Sequence, residues 1–246
     1  MVIALLADIH SNLQALSACL RHADDNGARR VAFLGDLVGY GADPQGVLDV
    51  VMERARAGAV VVKGNHDEAV EKRADYLNDA AQAAIDFTKS IVSGDHKAFL
   101  ASLPLLVREG SLCFVHASAA SPERWEYVDS PASALKSVEA AQSAYTFSGH
   151  VHDQVLYFQN PQGKMNEFRP AAGSPVPVGG HRRWLAIVGS VGQPRDGNPA
   201  AAYALFDSAR ASITFHRVPY DHHAAAQKIR SAGLPEFLAY RVERGI

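Results

Sequence analysis

The chain has 246 residues, 48% hydrophobic and 20% charged, ordinary for a globular protein that buries a sizeable core. A formal net charge of −2 gives no reason to expect nucleic acid or anionic lipid as a bulk electrostatic partner, and no uninterrupted apolar run is long enough to span a membrane. The opening MVIALLADIHS lacks the basic lead and length of a signal peptide, and Cys19 and Cys113 are isolated and read as reduced and buried, so a cytoplasmic protein is expected.

Along the chain, VIALLA (2–7) reads as a buried strand, and Leu13, Leu16 and Leu20 give the next helix its apolar face. VAFL (31–34) is a second strand, PQGVLDVVMERARA (44–57) a helix and AVVV (59–62) a third strand. Strands alternating with helices predict parallel βαβ units, whose strands are apolar on both faces. Residues 78–103 read as mainly helical, ending before Pro104. LLV (105–107), LCFV (112–115), a helix around 131–142 and AYTFS (144–148) follow. Beyond residue 150 come QVLYF, MNEF, WLAIV, AAYALF and SITFH, separated by the turn-rich stretches NPQGK, GSPVPVGG, GQPRDGNP and DSAR, which predicts antiparallel pairing. Asp221 is placed to cap a closing helix, and GLP (233–235) separates it from a short last one. With no repeat, low-complexity tract or long linker, a single domain over 1–246 is expected.

The polar residues fall in a pattern. Apolar strands end in ADIHS (7–11), GDLVGYG (35–41), GNHDE (64–68), FVHAS (114–118) and GHVHD (149–153). Carboxyl ends of parallel strands share one edge, so Asp8, His10, Asp36, Asn65, His116, His150 and His152 are expected to converge. The members of each two-apart pair, Asp8 with His10 and His150 with His152, would point to one side if the backbone there were extended. Taken singly, each motif has a plain structural reading as a cap, a turn or a satisfied core histidine. Together, in order and each at a strand end, they do not. The donors are too many for one tetrahedral ion and suit two ions sharing a carboxylate, with Asp36 as the bridge.

This ordered set, DxH, GDxxG, GNHD, a strand-end His and GHxH, resembles the calcineurin-like metallophosphoesterase family, with its motifs spanning residues 8–152. The resemblance implies an α/β fold, a four-layer α/β/β/α sandwich of two mixed sheets flanked by helices, with the antiparallel second half forming the second sheet. It implies two divalent metal ions (Mn, Fe or Zn), one held by Asp8, His10, Asp36 and His152, the other by Asp36, Asn65, His116 and His150. His66 would stand beside the metals next to the leaving group, as proton donor, while Asp67 caps the following helix. The chain departs from the family's Ser/Thr protein phosphatases, which carry Asp-Arg where Gly39 and Tyr40 stand here, and it has Ala117 where Gly usually follows the strand-end His. GDLVGYGADP and GSVGQPRDGNP are closer to the family's small prokaryotic, diadenosine-tetraphosphatase-like branch.

The chemistry implied is hydrolysis of a small phosphate-containing substrate: two ions about 4 Å apart hold a hydroxide and the phosphoryl oxygens for in-line attack. Diester or anhydride cleavage is favoured over monoester cleavage because no second phosphate-gripping arginine is evident beside the metals. Arg195, in VGQPRDG, reads equally as a loop-stabilising residue or as a guanidinium aimed at phosphate. His181, Arg182 and Arg183 follow a Gly-Pro-rich loop and read as a solvent-facing basic cluster or a substrate entrance. His22, His96, His216, His222 and His223 are expected to be solvated.

Overall fold

The computed structural model describes residues 1–72 and 77–246. Strand β1 (Val2–Leu6) leads into helix α1 (Leu13–Asp25). Asn12 starts α1 by accepting the Ala15 amide at 3.1 Å, satisfying one of the first-turn donors that a helix leaves unpaired. β2 (Arg30–Phe33), α2 (Pro44–Arg56) and β3 (Val60–Val61) complete two βαβ units, and β1, β2 and β3 pair in parallel as the apolar runs predict. Helix α3 (Asn65–Glu71) begins inside the GNHDE motif. The helical stretch expected over 78–103 is two helices, α4 (Asp79–Ile91) and α5 (Gly94–Ser102), because Ser93 caps the second by accepting the His96 amide. β4 (Leu106–Glu109), β5 (Leu112–Val115), α6 (Pro131–Ala141) and β6 (Tyr145–Ser148) follow. Then come β7 (Gln154–Gln159), β8 (Met165–Phe168), β9 (Pro175–Pro177), β10 (Trp184–Val188), β11 (Ala201–Asp207) and β12 (Ser212–Val218). The chain closes on α7 (His222–Ser231), capped by Asp221 as expected, and α8 (Glu236–Arg244).

Among the described residues the strands form two six-stranded mixed sheets, ordered β3-β2-β1-β11-β12-β9 and β4-β5-β6-β10-β7-β8. The expectation that the second half of the chain makes one antiparallel sheet needs correcting. β11, β12 and β9 extend the first sheet beyond β1, each antiparallel to its neighbour, while the centre of the second sheet is β5, β6 and β10, which pair in parallel. WLAIV is buried at all five positions, the mark of a central strand covered on both faces. Within GSPVPVGG, expected as a turn, β9 pairs with β12 at the sheet edge, where proline's missing donor does least harm.

Side chains alternate along β1: Ala4 and Leu6 face the helices, Ile3 and Leu5 face the other sheet. Ile3, Leu5, Phe114, Phe147, Phe206 and Phe215 fill the space between the sheets. α1 and α2 cover the outer face of the first sheet through Leu16, Leu48 and Val51, and α6 covers the second through Val138. The result is the α/β/β/α layering. α4, α7 and α8 pack together through Ala84, Ile229, Leu238 and Val242, with Tyr40 in the same cluster. Cys19 and Cys113 are free and buried, as expected. Among the described residues no helix is long and apolar enough to cross a membrane.

Two histidines expected in solvent are not there. His96 is buried on α5 with Nε2 2.9 Å from Asp49 Oδ1. His216 stacks on Tyr203, ring centroids 5.2 Å apart, and its buried Nε2 has no hydrogen-bond partner among the described residues. Both were legible only as polar positions; their neighbours come from distant segments.

Candidate metal centre

The strand-end loops meet at one edge of the sandwich and are zipped together by backbone hydrogen bonds. The amides of Asp8, His10 and Ser11 donate to the carbonyls of Gly35, Asp36 and Leu37 at 3.0–3.1 Å. The extended backbone expected at the paired motifs is not found. Asp8 (φ 53°), His10 (48°), Asp36 (51°), His150 (67°) and His152 (69°) all adopt the left-handed region. Asp and His tolerate that region better than most residues, but each instance costs on the order of 1–3 kcal/mol. Side chains therefore converge through tight turns, with the strain met by the surrounding ladder of hydrogen bonds.

The convergence itself is as expected. Asp8, His10 and His152 form one group whose candidate ligand atoms all lie within 4.8 Å of one another, and Asp36, His116 and His150 form another. His10 and Asp36 also group with His66 at the same spacing. Asp36 stands between the halves: its Oδ2 is 3.7 Å from His10 Nε2 and 3.4 Å from His116 Nε2. Asn65 Oδ1 is 3.2 Å from His116 Nε2. Asp8 Oδ1 is 3.3 Å from His152 Nε2, while its Oδ2 accepts the His150 amide at 2.9 Å.

Backbone carbonyls aim three of the rings. Nδ1 of His10 faces Val38 O at 3.2 Å, Nδ1 of His116 faces Leu34 O at 2.8 Å, and Nδ1 of His152 faces Gln193 O at 2.6 Å. A carbonyl accepts only, so each Nδ1 carries a proton; on His10, whose charge burial disfavours, this leaves a bare Nε2 lone pair turned inward. His150 lies under Tyr127, rings stacked at 4.2 Å.

The stretch Gly64–Asp67 shows why this sequence leaves a strand as it does. The His66 amide donates to Asp36 Oδ1 at 2.8 Å, and a Cβ on Gly64 would collide with the Asp36 carboxylate and backbone. Asp67 caps α3 from inside its first turn, with Oδ2 accepting the Gly64 amide at 2.9 Å. Its Oδ1 accepts the Leu37 and Val38 amides at 2.9 and 3.3 Å, tying this loop to GDLVGYG. Burial and nearby Asp36 push the Asp67 carboxyl up to about 7, against the pull of those backbone donors. Gly39 leaves room for His66, whose Nδ1 would strike any Cβ there, and Tyr40 packs against both His66 and His10 at 4.5 and 4.6 Å.

The electrostatics suit a cation. Burial lowers His10 and His66, with Asp36 opposing, and burial together with His116 pushes His150 down to about 3. Burial also disfavours charge on Asp36 and on His116, yet their mutual attraction wins, holding Asp36 well below its usual range and His116 up at about 9. Meanwhile Asp8 Oδ1, His66 Nδ1 and His150 Nε2 are buried with no hydrogen-bond partner among the described residues. Buried carboxylates beside facing imidazole lone pairs are costly alone and well matched to divalent ions such as Mn, Fe or Zn. These residues fit a metal.

A cavity of about 330 Å³ opens over the centre, lined in part by Asp36, Asn65, His66, Tyr127, His150 and His152. Arg195 lines it too, held by a 3.1 Å hydrogen bond from Nη2 to Gln193 Oε1, with its guanidinium over the Tyr40 ring at 6.0 Å. Sequence reasoning found no second arginine here, and that is corrected: Arg241 of α8 lines the same cavity. Its setting on the polar side of an ordinary amphipathic helix carried no signal. Tyr127 was missed for the same reason, an exposed aromatic in a loop. His181, Arg182 and Arg183 line a different groove, beside Gln142–Ala144 and Gln159–Pro161, which includes none of the candidate ligands.

The family model of the calcineurin-like phosphoesterase superfamily domain matches residues 1–210. The chain is 33% identical to MJ0912 of Methanocaldococcus jannaschii over 255 aligned positions, covering 99% of this chain and 98% of that one. A solved metallophosphoesterase from Sphaerobacter thermophilus superposes with a TM-score of 0.89 at 34% identity, covering 100% and 99% of the two chains. A solved diadenosine-tetraphosphatase-like protein shares the fold at a TM-score of 0.53 and 16% identity, covering 89% and 94%. The chain belongs to the calcineurin-like phosphoesterase superfamily.

Proposed function

We propose that the protein is a dinuclear metal-dependent hydrolase that cleaves phosphate ester or phosphoanhydride bonds in a small soluble substrate of nucleotide type; the preference for diesters over monoesters, which rested on the lack of a second arginine, falls with Arg241 in the cavity. Asp8, His10, Asp36 and His152 hold one ion, and Asp36, Asn65, His116 and His150 hold the other. The observation that carries this reading is the pair of facing imidazoles on each side of Asp36: His10 Nε2 and His152 Nε2 are 3.2 Å apart, and His116 Nε2 and His150 Nδ1 are 3.1 Å apart. With its proton on Nδ1, His10 meets His152 through an Nε2 lone pair, a contact that a shared cation relieves, and the nitrogens of His116 and His150 converge in the same way on the other side.

Divalent ions so held would polarise the phosphoryl group, offset its negative charge and lower the pKa of the attacking water. The protein's own groups do the rest. Buried carboxylates and carbonyl-anchored rings hold the site rigid before substrate arrives, which is what electrostatic stabilisation of phosphoryl transfer requires. His66, packed against His10 and Tyr40 and lining the cavity, delivers a proton to the leaving oxygen. Arg195 contacts the substrate's phosphate. The protein works in the cytoplasm on a soluble substrate, needing neither nucleic acid nor membrane.

The test is a screen of the purified protein with Mn²⁺, Fe²⁺ or Zn²⁺ against mono- and diester chromogens, cyclic nucleotides and dinucleoside polyphosphates, alongside elemental analysis. Metal-dependent turnover with two ions per chain is expected. No turnover with any metal would overturn the proposal in favour of a metal-binding scaffold.

A further inference from the structure

Arg195 and Arg241 line one cavity, whose described lining includes Asp36 as its carboxylate. Neither forms an ion pair among the described residues, although most of the chain's other arginines in the final third do: Arg217 with Asp196, and Arg230 with Glu236 and Glu243. Arg195 Nε is buried without a hydrogen-bond partner. Arg241 is fixed at the other end, where its Nε donates to Ile246 O at 2.7 Å and its guanidinium lies 5.2 Å over Phe237. Burial, and to a lesser degree the charge of Arg195, depress the Arg241 guanidinium below its ordinary range. A protein leaves such a pair unneutralised at a cost, and the natural counter-charge is one it binds.

Tyr40 sets the distance. Its ring contacts His10 and His66 and has the Arg195 guanidinium 6.0 Å from its centroid, so it spaces Arg195 from the metal-facing histidines. An anion gripped by the arginines is therefore a neighbour of the reacting phosphate. α8 packs into the cluster around Tyr40 through Leu238, Ala239 and Val242, which delivers Arg241 to this place.

We propose that Arg195 and Arg241 form a site for a second phosphate of the substrate, one unit beyond the phosphate that reacts. The proposal deepens the function above and rests on it. When water adds to the reacting phosphorus, the P–O bond to the bridging oxygen breaks. If the second phosphate leaves, it takes that electron pair, and the guanidiniums hold the charge that develops. Planar, five-donor guanidiniums suit this task better than lysines, because each can meet two phosphate oxygens at once.

The test uses the metal-loaded full-length protein and two probes that are not hydrolysed, methylenediphosphonate and methylphosphonate, with binding followed by calorimetry in excess metal. The parent is expected to prefer the diphosphonate. Arg241→Gln should lose roughly 10–100-fold in affinity for it and no more than about threefold for methylphosphonate, as expected for charge-assisted hydrogen bonds to a second phosphate. Arg241→Lys should recover part of the loss, and Arg195→Gln should behave like Arg241→Gln, with melting temperatures confirming that each variant is folded. A parent without the preference, or variants that lose both probes equally, would overturn the site. Should the preference hold while the parent turns over no phosphate ester, the arginine site stands and the proposed hydrolase does not.

Discussion

His10 and His152, 142 residues apart in the chain, point their Nε2 atoms at each other across 3.2 Å, each with Nδ1 anchored on a backbone carbonyl. The anchoring, with burial disfavouring its charge, leaves His10 no inward proton to donate across this contact. A cation resolves the contact, and the first three predictions follow from that.

Chelation should lower the melting temperature as well as abolish activity, because ions that bind only the folded chain stabilise it by mass action. With metal at about 100 times its dissociation constant the effect is about 3 kcal/mol per ion, roughly 5–10 °C for a chain of this size. Calorimetric scans with and without chelator check it; identical scans would mean that no ion is tied to the fold.

Asp36→Ala should remove both ions, since Asp36 Oδ2 addresses His10 and His116 together. His152→Ala, on one side only, should weaken one ion more than the other. Elemental analysis decides, and two ions retained in Asp36→Ala would sink the bridging role.

Gly64→Ala isolates a steric effect. Gly64 sits at φ −102°, which alanine adopts freely, but its added methyl would meet the Asp36 carboxylate and backbone. Metal content and turnover should both fall by at least about tenfold, the scale of losses when a ligand's supporting contacts are disturbed. A fully metallated, fully active Gly64→Ala protein would show that Asp36 moves aside without consequence.

His66→Ala should keep both ions and lose turnover on the order of 10²–10⁴-fold for substrates with poor, alkoxide-like leaving groups. Nitrophenolate esters, whose leaving group needs no proton, should lose far less. Equal losses for the two classes together with a lost ion would make His66 a ligand instead.

His216 should make the fold acid-sensitive. Burial beside Tyr203, with the imidazole of His22 4.9 Å away, pushes it from 6.5 down to about 4, while Arg217 next to it is occupied with Asp196. The unfolded chain binds a proton near pH 6.5 that the native state refuses until about pH 4. The stability is therefore complete above pH 6.5, falls between 6.5 and 4, and falls no further from this group below 4. Denaturation against pH should show a shallower slope across that window in His216→Gln than in the parent; parallel slopes would remove His216 as the cause.

What was legible in the sequence was chemical identity and local form. The βαβ alternation, the cap at Asp221 and the strand-end positions of Asp8, His10, Asp36, Asn65, His116, His150 and His152 all follow from near neighbours. Apolar period, turn residues and capping side chains act within a few residues, so a linear reading recovers them. Only the tertiary structure decided how those residues meet. The left-handed turns at Asp8 and His10 are held by a backbone ladder to the Gly35–Leu37 loop, so extended geometry was the wrong expectation. Likewise, β10 and β11 carry similar apolar runs, yet one pairs with β6 and β7 and the other with β1 and β12. Arg241 reaches the cavity because α8 packs beside Tyr40, two hundred positions away. Strand partnership and the docking of a closing helix depend on complementary surfaces distant in the chain, and no local pattern of residues encodes them.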